Sequence, residues 1–135
     1  MLTIDQATYD AIVAHAKKDH PDEACGIVAG PEGSDRPERL VEMVNAAGSP
    51  TFYEFDSTDL LELYKEMDDR DEEPVVVYHS HTMTEAYPSR TDVRWSANTP
   101  GTSWLLVSTR SEELEVRSFR IEDGVVAEEE LRITG

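Results

Sequence analysis

The run VVVYHSH, Val75 to His81, restricts the fold more than any other stretch. β-Branched and aromatic residues dominate it, and the helix-breaking, charged segment DDRDEEP precedes it, so it reads as a central strand of a sheet. A chain of 135 residues built around such a strand fits a single domain, 1–135, with a real core. The flanking patterns are mixed. Thr3 followed by Gln6 makes a capping box for a first helix over 4–19 that ends before Pro21, and EACGIVAG at 23–30 reads as a short buried strand. Strands are expected at 39–44 and 51–55, then a helix capped by Ser57 whose apolar side carries Leu60, Leu61, Tyr64 and Met67. Ser89 opens a short helix through Ala97, 104–108 is a further buried strand, and 114–133 is a hairpin around Asp123-Gly124. Strands and helices alternate without strict order, so the fold class is α/β in the mixed, α+β sense: a mixed sheet with helices on its faces.

Composition bounds the function. The 29 acidic residues against 12 basic ones give a formal charge of -17, a field that repels phosphate backbones and anionic lipid, so neither nucleic acid nor membrane is expected as a partner. The acidity serves either solubility or the steering of a basic partner. No basic leader with an apolar run opens the sequence and no stretch approaches the roughly 20 apolar residues of a membrane span, so a cytoplasmic location is expected. Cys25 is the only cysteine. Any metal must therefore rest on histidine and carboxylate.

The histidines of the central run supply such a site. Side chains two apart on a strand share a face, their Cα atoms roughly 6.5–7 Å apart, so His79 and His81 can converge on one ion. Asp92 is the nearest further ligand, although Ser89-Arg-Thr-Asp92 is equally a helix-start pattern. Glu23, before the buried strand, is either a strand-edge charge or a base that accepts a proton from an attacking water. His15 and His20 read as surface residues, and Cys25 as core packing.

His79-Ser-His81, seven residues, Ser89, two residues, Asp92, with Glu23 upstream, is the H-x-H-x7-S-x2-D pattern of the JAMM (MPN+) metalloproteases, a family this chain resembles over nearly its whole length. The stretches DHPDEACGIVAGPEGSDRPER and YHSHTMTEAYPSRTDV are most similar to the branch that frees a terminal cysteine. The resemblance implies a JAB1/MPN, cytidine-deaminase-like fold, with a curved mixed β-sheet flanked by helices. It also implies one zinc per chain held by His79, His81 and Asp92, Glu23 as proton carrier, and Ser89 as donor to the oxyanion. The implied substrate is a ubiquitin-like sulfur carrier protein whose C-terminal Gly-Gly carries an added cysteine, so that hydrolysis serves cysteine biosynthesis. The alternative is an isopeptidase of the desampylase or deubiquitinase kind, which removes a ubiquitin-like modifier from lysine. Many members carry proline after the second histidine where this chain has Thr82, a departure that leaves the ligands untouched and bears on isopeptidase specificity. For the leaving residue's carboxylate the candidates are Arg90 and Arg94, which read equally well as solvent-facing helix arginines. An iron facial triad leaves Glu23 and Ser89 without roles, an amidohydrolase barrel needs about 250 residues, and a metal-free scaffold would lack ligands that are all present here.

Overall fold

A computed structural model describes residues 1–135. Eight strands and three α-helices follow the order β1 (Leu2–Asp5), α1 (Gln6–Asp19), β2 (Cys25–Pro31), β3 (Arg39–Met43), α2 (Ser57–Asp69), β4 (Glu72–His81), α3 (Arg90–Trp95), β5 (Ser103–Ser108), β6 (Glu115–Glu122), β7 (Val125–Glu129) and β8 (Leu131–Thr134). One 3-10 turn, Ser96–Asn98, continues α3. Six strands form a sheet in the order β3-β2-β4-β5-β6-β7, and β1 pairs with β8 in a separate parallel ribbon. Within the large sheet only β4 and β5 run parallel. Their connection is the long one that carries α3, because a parallel pair cannot be closed by a tight turn. No helix is long and apolar enough to cross a membrane.

The expected central strand is therefore central, and both of its faces are covered. Val77 packs with Ile27, Leu63, Met67, Trp104 and Phe119 on the side of α2. Val76 and Tyr78 pack with Ile4, Ile12, Ala16 and Leu105 on the side of α1. A strand buried on both faces reads as a continuous apolar run. Gly26 on β2 is required by this packing: the Tyr78 ring lies across it and occupies the space a Cβ would need. The β6–β7 hairpin turns through Asp123 and Gly124, both with positive φ, as the Asp-Gly pair predicts.

Local expectations fail where tertiary pairing overrides propensity. Thr3 is not a cap, since it lies in β1 opposite Arg132; Asp5 caps α1, its carboxylate accepting the Thr8 N–H at 2.7 Å. Asp56, not Ser57, caps α2. Residues 51–55 make a single bridge, Asn45 to Phe55, instead of a strand. β4 starts within the charged segment, at Glu72, where Arg39 of β3 and Glu72 form a hydrogen-bonded ion pair. On α2 the buried residues are Leu63 and Met67, whereas Leu61 and Tyr64 face solvent. His15 is buried, its Nδ1 2.7 Å from the Tyr78 hydroxyl and its Nε2 3.1 Å from Asp19.

Candidate metal centre

The period of two along β4 sends His79 and His81 to one face and Tyr78 and Ser80 to the other. Asp92 reaches the histidines from α3, and its position follows from helix capping. Ser89 Oγ accepts the Asp92 N–H at 3.1 Å, while Asp92 Oδ2 accepts the Ser89 N–H at 2.8 Å. The same Oδ2 lies 3.1 Å from His79 Nε2 and 3.4 Å from His81 Nε2, and the two ring nitrogens are 3.1 Å apart. All three residues are buried. Capping and approach to the two histidines, alternatives in the sequence, are served by one carboxylate oxygen.

These separations test whether a metal fits. Around a tetrahedral zinc with bonds of about 2.0–2.1 Å, ligand atoms stand about 3.3 Å from one another, and the three here are 3.1–3.4 Å apart. The tautomer points the same way. His81 Nδ1 lies 2.8 Å from the Glu85 carbonyl, which can only accept, so Nδ1 carries a hydrogen and Nε2, facing Asp92, is left to take either a second proton or a metal. Two ring nitrogens and a carboxylate oxygen facing one point require positive charge between them, a proton or a cation. Burial opposes the protonation of His81, yet its hydrogen bonds to Asp92 and Glu85 and the charges of Asp92 and Glu23 outweigh this and raise its pKa. Burial would likewise raise Asp92, but His79 and His81 hold it well below the usual carboxylate range. The residues present therefore fit a metal site. His79 Nδ1 has no hydrogen-bond partner; its ring is held instead by stacking on Tyr53, centroids 4.5 Å apart.

Glu23 stands just before β2. Ser80, the residue between the two histidines, grips the neighbouring Ala24: its Oγ accepts the Ala24 N–H at 2.8 Å and its own N–H donates to the Ala24 carbonyl at 3.0 Å. Asn45 donates to the Glu23 carbonyl at 3.0 Å. Glu23 is only 5% exposed, and burial, opposed by His81 and aided by Asp92, pushes its carboxyl pKa up to about 7. It shares with His81, Ser89 and Asp92 a cavity of about 210 Å³ whose far wall includes Phe52, Tyr53 and Trp95. Ser89 uses one oxygen lone pair for the cap, so its O–H remains free to donate into this cavity. The structure thus brings together Glu23, His79, His81, Ser89 and Asp92. Arg90 and Arg94 stand apart: both are exposed on α3, and neither lines the cavity. Tyr53, Asn45 and Ser80 escaped the sequence reading, because their roles depend on which loop lies beside β4.

Known proteins resemble this chain in sequence and in fold. Residues 5–122 match the model of the prokaryotic homologues of the JAB domain. The chain is 57% identical over 134 residues to the CysO-cysteine peptidase of Mycobacterium tuberculosis (strain ATCC 25618 / H37Rv), covering 98% of this chain and 91% of that one. It is 31% identical over 112 residues to the desampylase of Haloferax volcanii, covering 79% and 80%. Among solved structures it is similar to a Desulfitobacterium hafniense protein, with TM-score 0.83, 31% identity and 99% and 93% of the two chains covered. In fold alone it is similar to a JAB1/MPN domain protein from Archaeoglobus fulgidus, with TM-score 0.65, 20% identity and full coverage of both. The expected JAB1/MPN architecture is the one observed, and the chain belongs to the family of prokaryotic homologues of the JAB domain.

Proposed function

We propose that this protein is a zinc metallopeptidase that hydrolyses the bond between the C-terminal Gly-Gly of a ubiquitin-like sulfur carrier and an added cysteine. The observation that carries the reading is the convergence of His79, His81 and Asp92 beside a buried carboxyl and a free hydroxyl in one cavity. The 57% identity to a CysO-cysteine peptidase over nearly the whole chain supports the substrate class. His79, His81 and Asp92 would hold the metal, and two imidazole nitrogens with a carboxylate oxygen suit zinc. Zinc, when bound, would make a water nucleophilic near neutral pH and polarise the scissile carbonyl.

The chain's own residues do the rest. Glu23, buried and accepting no side-chain hydrogen bond from the protein, takes a proton as the water attacks and passes it to the departing cysteine nitrogen; a carboxyl whose pKa lies near 7 suits both transfers. The Ser89 hydroxyl donates to the carbonyl oxygen as that oxygen gains negative charge. Asp92 orients Ser89 through the cap. Arg90 and Arg94 are the sequence candidates for the cysteine carboxylate, although neither lines the cavity, and their replacement by alanine tests this through KM.

Mass spectrometry of a carrier ending in Gly-Gly-Cys decides the main claim. Zinc-loaded wild type should remove one cysteine mass, and Glu23→Gln or chelated enzyme should not. An intact carrier with the loaded wild type rejects the substrate and favours the alternative supported by the desampylase relative, an isopeptidase acting on lysine.

A further inference from the structure

Release of one terminal residue and nothing larger demands a cleft that stops beyond the scissile bond. A cation would be one means of selecting a free carboxylate, but no lysine or arginine lines the cavity. What the cavity has instead is a bridge. One wall is the segment 50–53, and the other is 82–84, directly after His81. Thr82 is buried, and its hydroxyl donates to the Pro50 carbonyl at 2.6 Å across 32 positions of sequence. The Pro50 wall is itself fixed to the segment of the base: the Glu23 N–H donates to the Ser49 carbonyl at 2.9 Å, and Asn45 donates to the carbonyls of both Glu23 and Phe52 at 3.0 Å. One chain of bonds thus runs from Glu23 through the 49–52 segment to Thr82 and the metal strand.

We infer that Thr82 is the residue that sets leaving-group specificity. It acts as a positioning residue: its hydroxyl ties the two walls together, fixes the width of the cleft and closes it at that point. A single small residue such as cysteine fits behind the scissile bond, whereas a lysine that continues into a folded protein does not. This rests on the peptidase reading and goes beyond it by naming what separates the cysteine-releasing activity from isopeptidase activity.

Thr82→Val keeps the side-chain shape and removes the donor, and Thr82→Ser keeps the donor. Two conjugates of the same carrier serve as probes, one ending in Gly-Gly-Cys and one joined through Gly-Gly to a lysine of a folded protein. Hydrogen exchange of residues 51–54 reports the wall directly, without reference to activity. In Thr82→Val, exchange there should rise, and KM for the cysteine conjugate should rise about fivefold or more, the size a net hydrogen bond supplies. Turnover should change less than about twofold, because the Ser89 donor and the base are untouched. The preference for cysteine over lysine conjugate should fall about tenfold, and Thr82→Ser should restore wild-type values. Unchanged exchange in Thr82→Val, an unchanged preference, or a Ser variant that behaves like Val would each overturn the assignment while leaving the peptidase reading intact. A wild type inert toward both conjugates overturns the peptidase reading and the specificity with it.

Discussion

Replacing Glu23 by glutamine should abolish turnover and at the same time stabilise the metal-free protein, with a pH dependence that identifies the cause. Burial raises the Glu23 pKa from 4.5 to about 7. The folded state therefore binds a proton that the unfolded state has already lost, and the stability present below pH 4.5 is lost progressively as pH rises through 7. At about 1.4 kcal/mol per pH unit the full loss is about 3 kcal/mol, of which about 2 kcal/mol falls between pH 5.5 and pH 8. Both of those conditions lie above the sequence pI of about 4.4. The Glu23 carboxyl lines an open cavity, where solvent screens part of the effect, so these figures are ceilings. Glutamine has nearly the same shape and never ionises. Urea denaturation with chelator present, for wild type and Glu23→Gln at the two pH values, should show the variant's advantage widening toward pH 8 by up to about 2 kcal/mol. A gap constant with pH, or one that closes as pH rises, would refute the account of Glu23 as a carboxyl held near neutrality by burial.

Further outcomes follow from the neighbouring groups. Metal loading must displace the proton that the raised pKa of His81 retains, so zinc affinity, read by chelator competition, should fall about tenfold for each pH unit below that pKa; an affinity independent of pH between 8 and 6 contradicts this. Ser89→Ala removes both cap and donor, and should cost about 1 kcal/mol of stability and about a hundredfold or more in turnover. Ser89→Asp should restore the cap but not turnover; recovery of both properties by Asp would show that the hydroxyl hydrogen has no catalytic task. Tyr78→Phe deprives the Nδ1 of buried His15 of its partner and should destabilise the fold by about 1–3 kcal/mol in denaturant, and a loss below about 0.5 kcal/mol would mean that the pair contributes little net stability.

The outline of the fold and the centre was legible because it is written in short periods. Two-residue spacing placed the histidines on one face, and three-residue spacing in Ser89-Arg-Thr-Asp92 placed the cap and the third donor together. What stayed hidden depends on pairings remote in sequence. Thr3 looks like a cap until Arg132, at the other end of the chain, makes it a strand residue. His15 looks like a surface residue until Tyr78, passing over Gly26, reaches it. The segment 51–55 has strand-forming residues but finds one bridge only, and its use is to wall the cavity and to stack Tyr53 on His79.

The residue between the two histidines explains why the centre is built on this strand. The alternation that sends both imidazoles toward Asp92 also sends the Ser80 hydroxyl to the opposite side, where it holds the backbone of Ala24 at the point where β2 begins. Backbone pairing fixes Cys25 against His79 and reaches one residue further, where the Ser80 N–H donates to the Ala24 carbonyl, while the Glu23 N–H donates to the Ser49 carbonyl. The Ser80 hydroxyl adds a second bond to Ala24, at its N–H, and so helps to hold Glu23 beside His79, His81 and Asp92. A carboxyl that resists ionisation in its site favours any movement that lets water reach it, so it needs such restraint from both sides. Ser80 supplies it on the strand and Asn45 on the loop. Glu23 and the three converging side chains are in this way parts of one hydrogen-bonded unit, and under the proposed roles a change at Ser80 should disturb proton transfer before it disturbs metal binding.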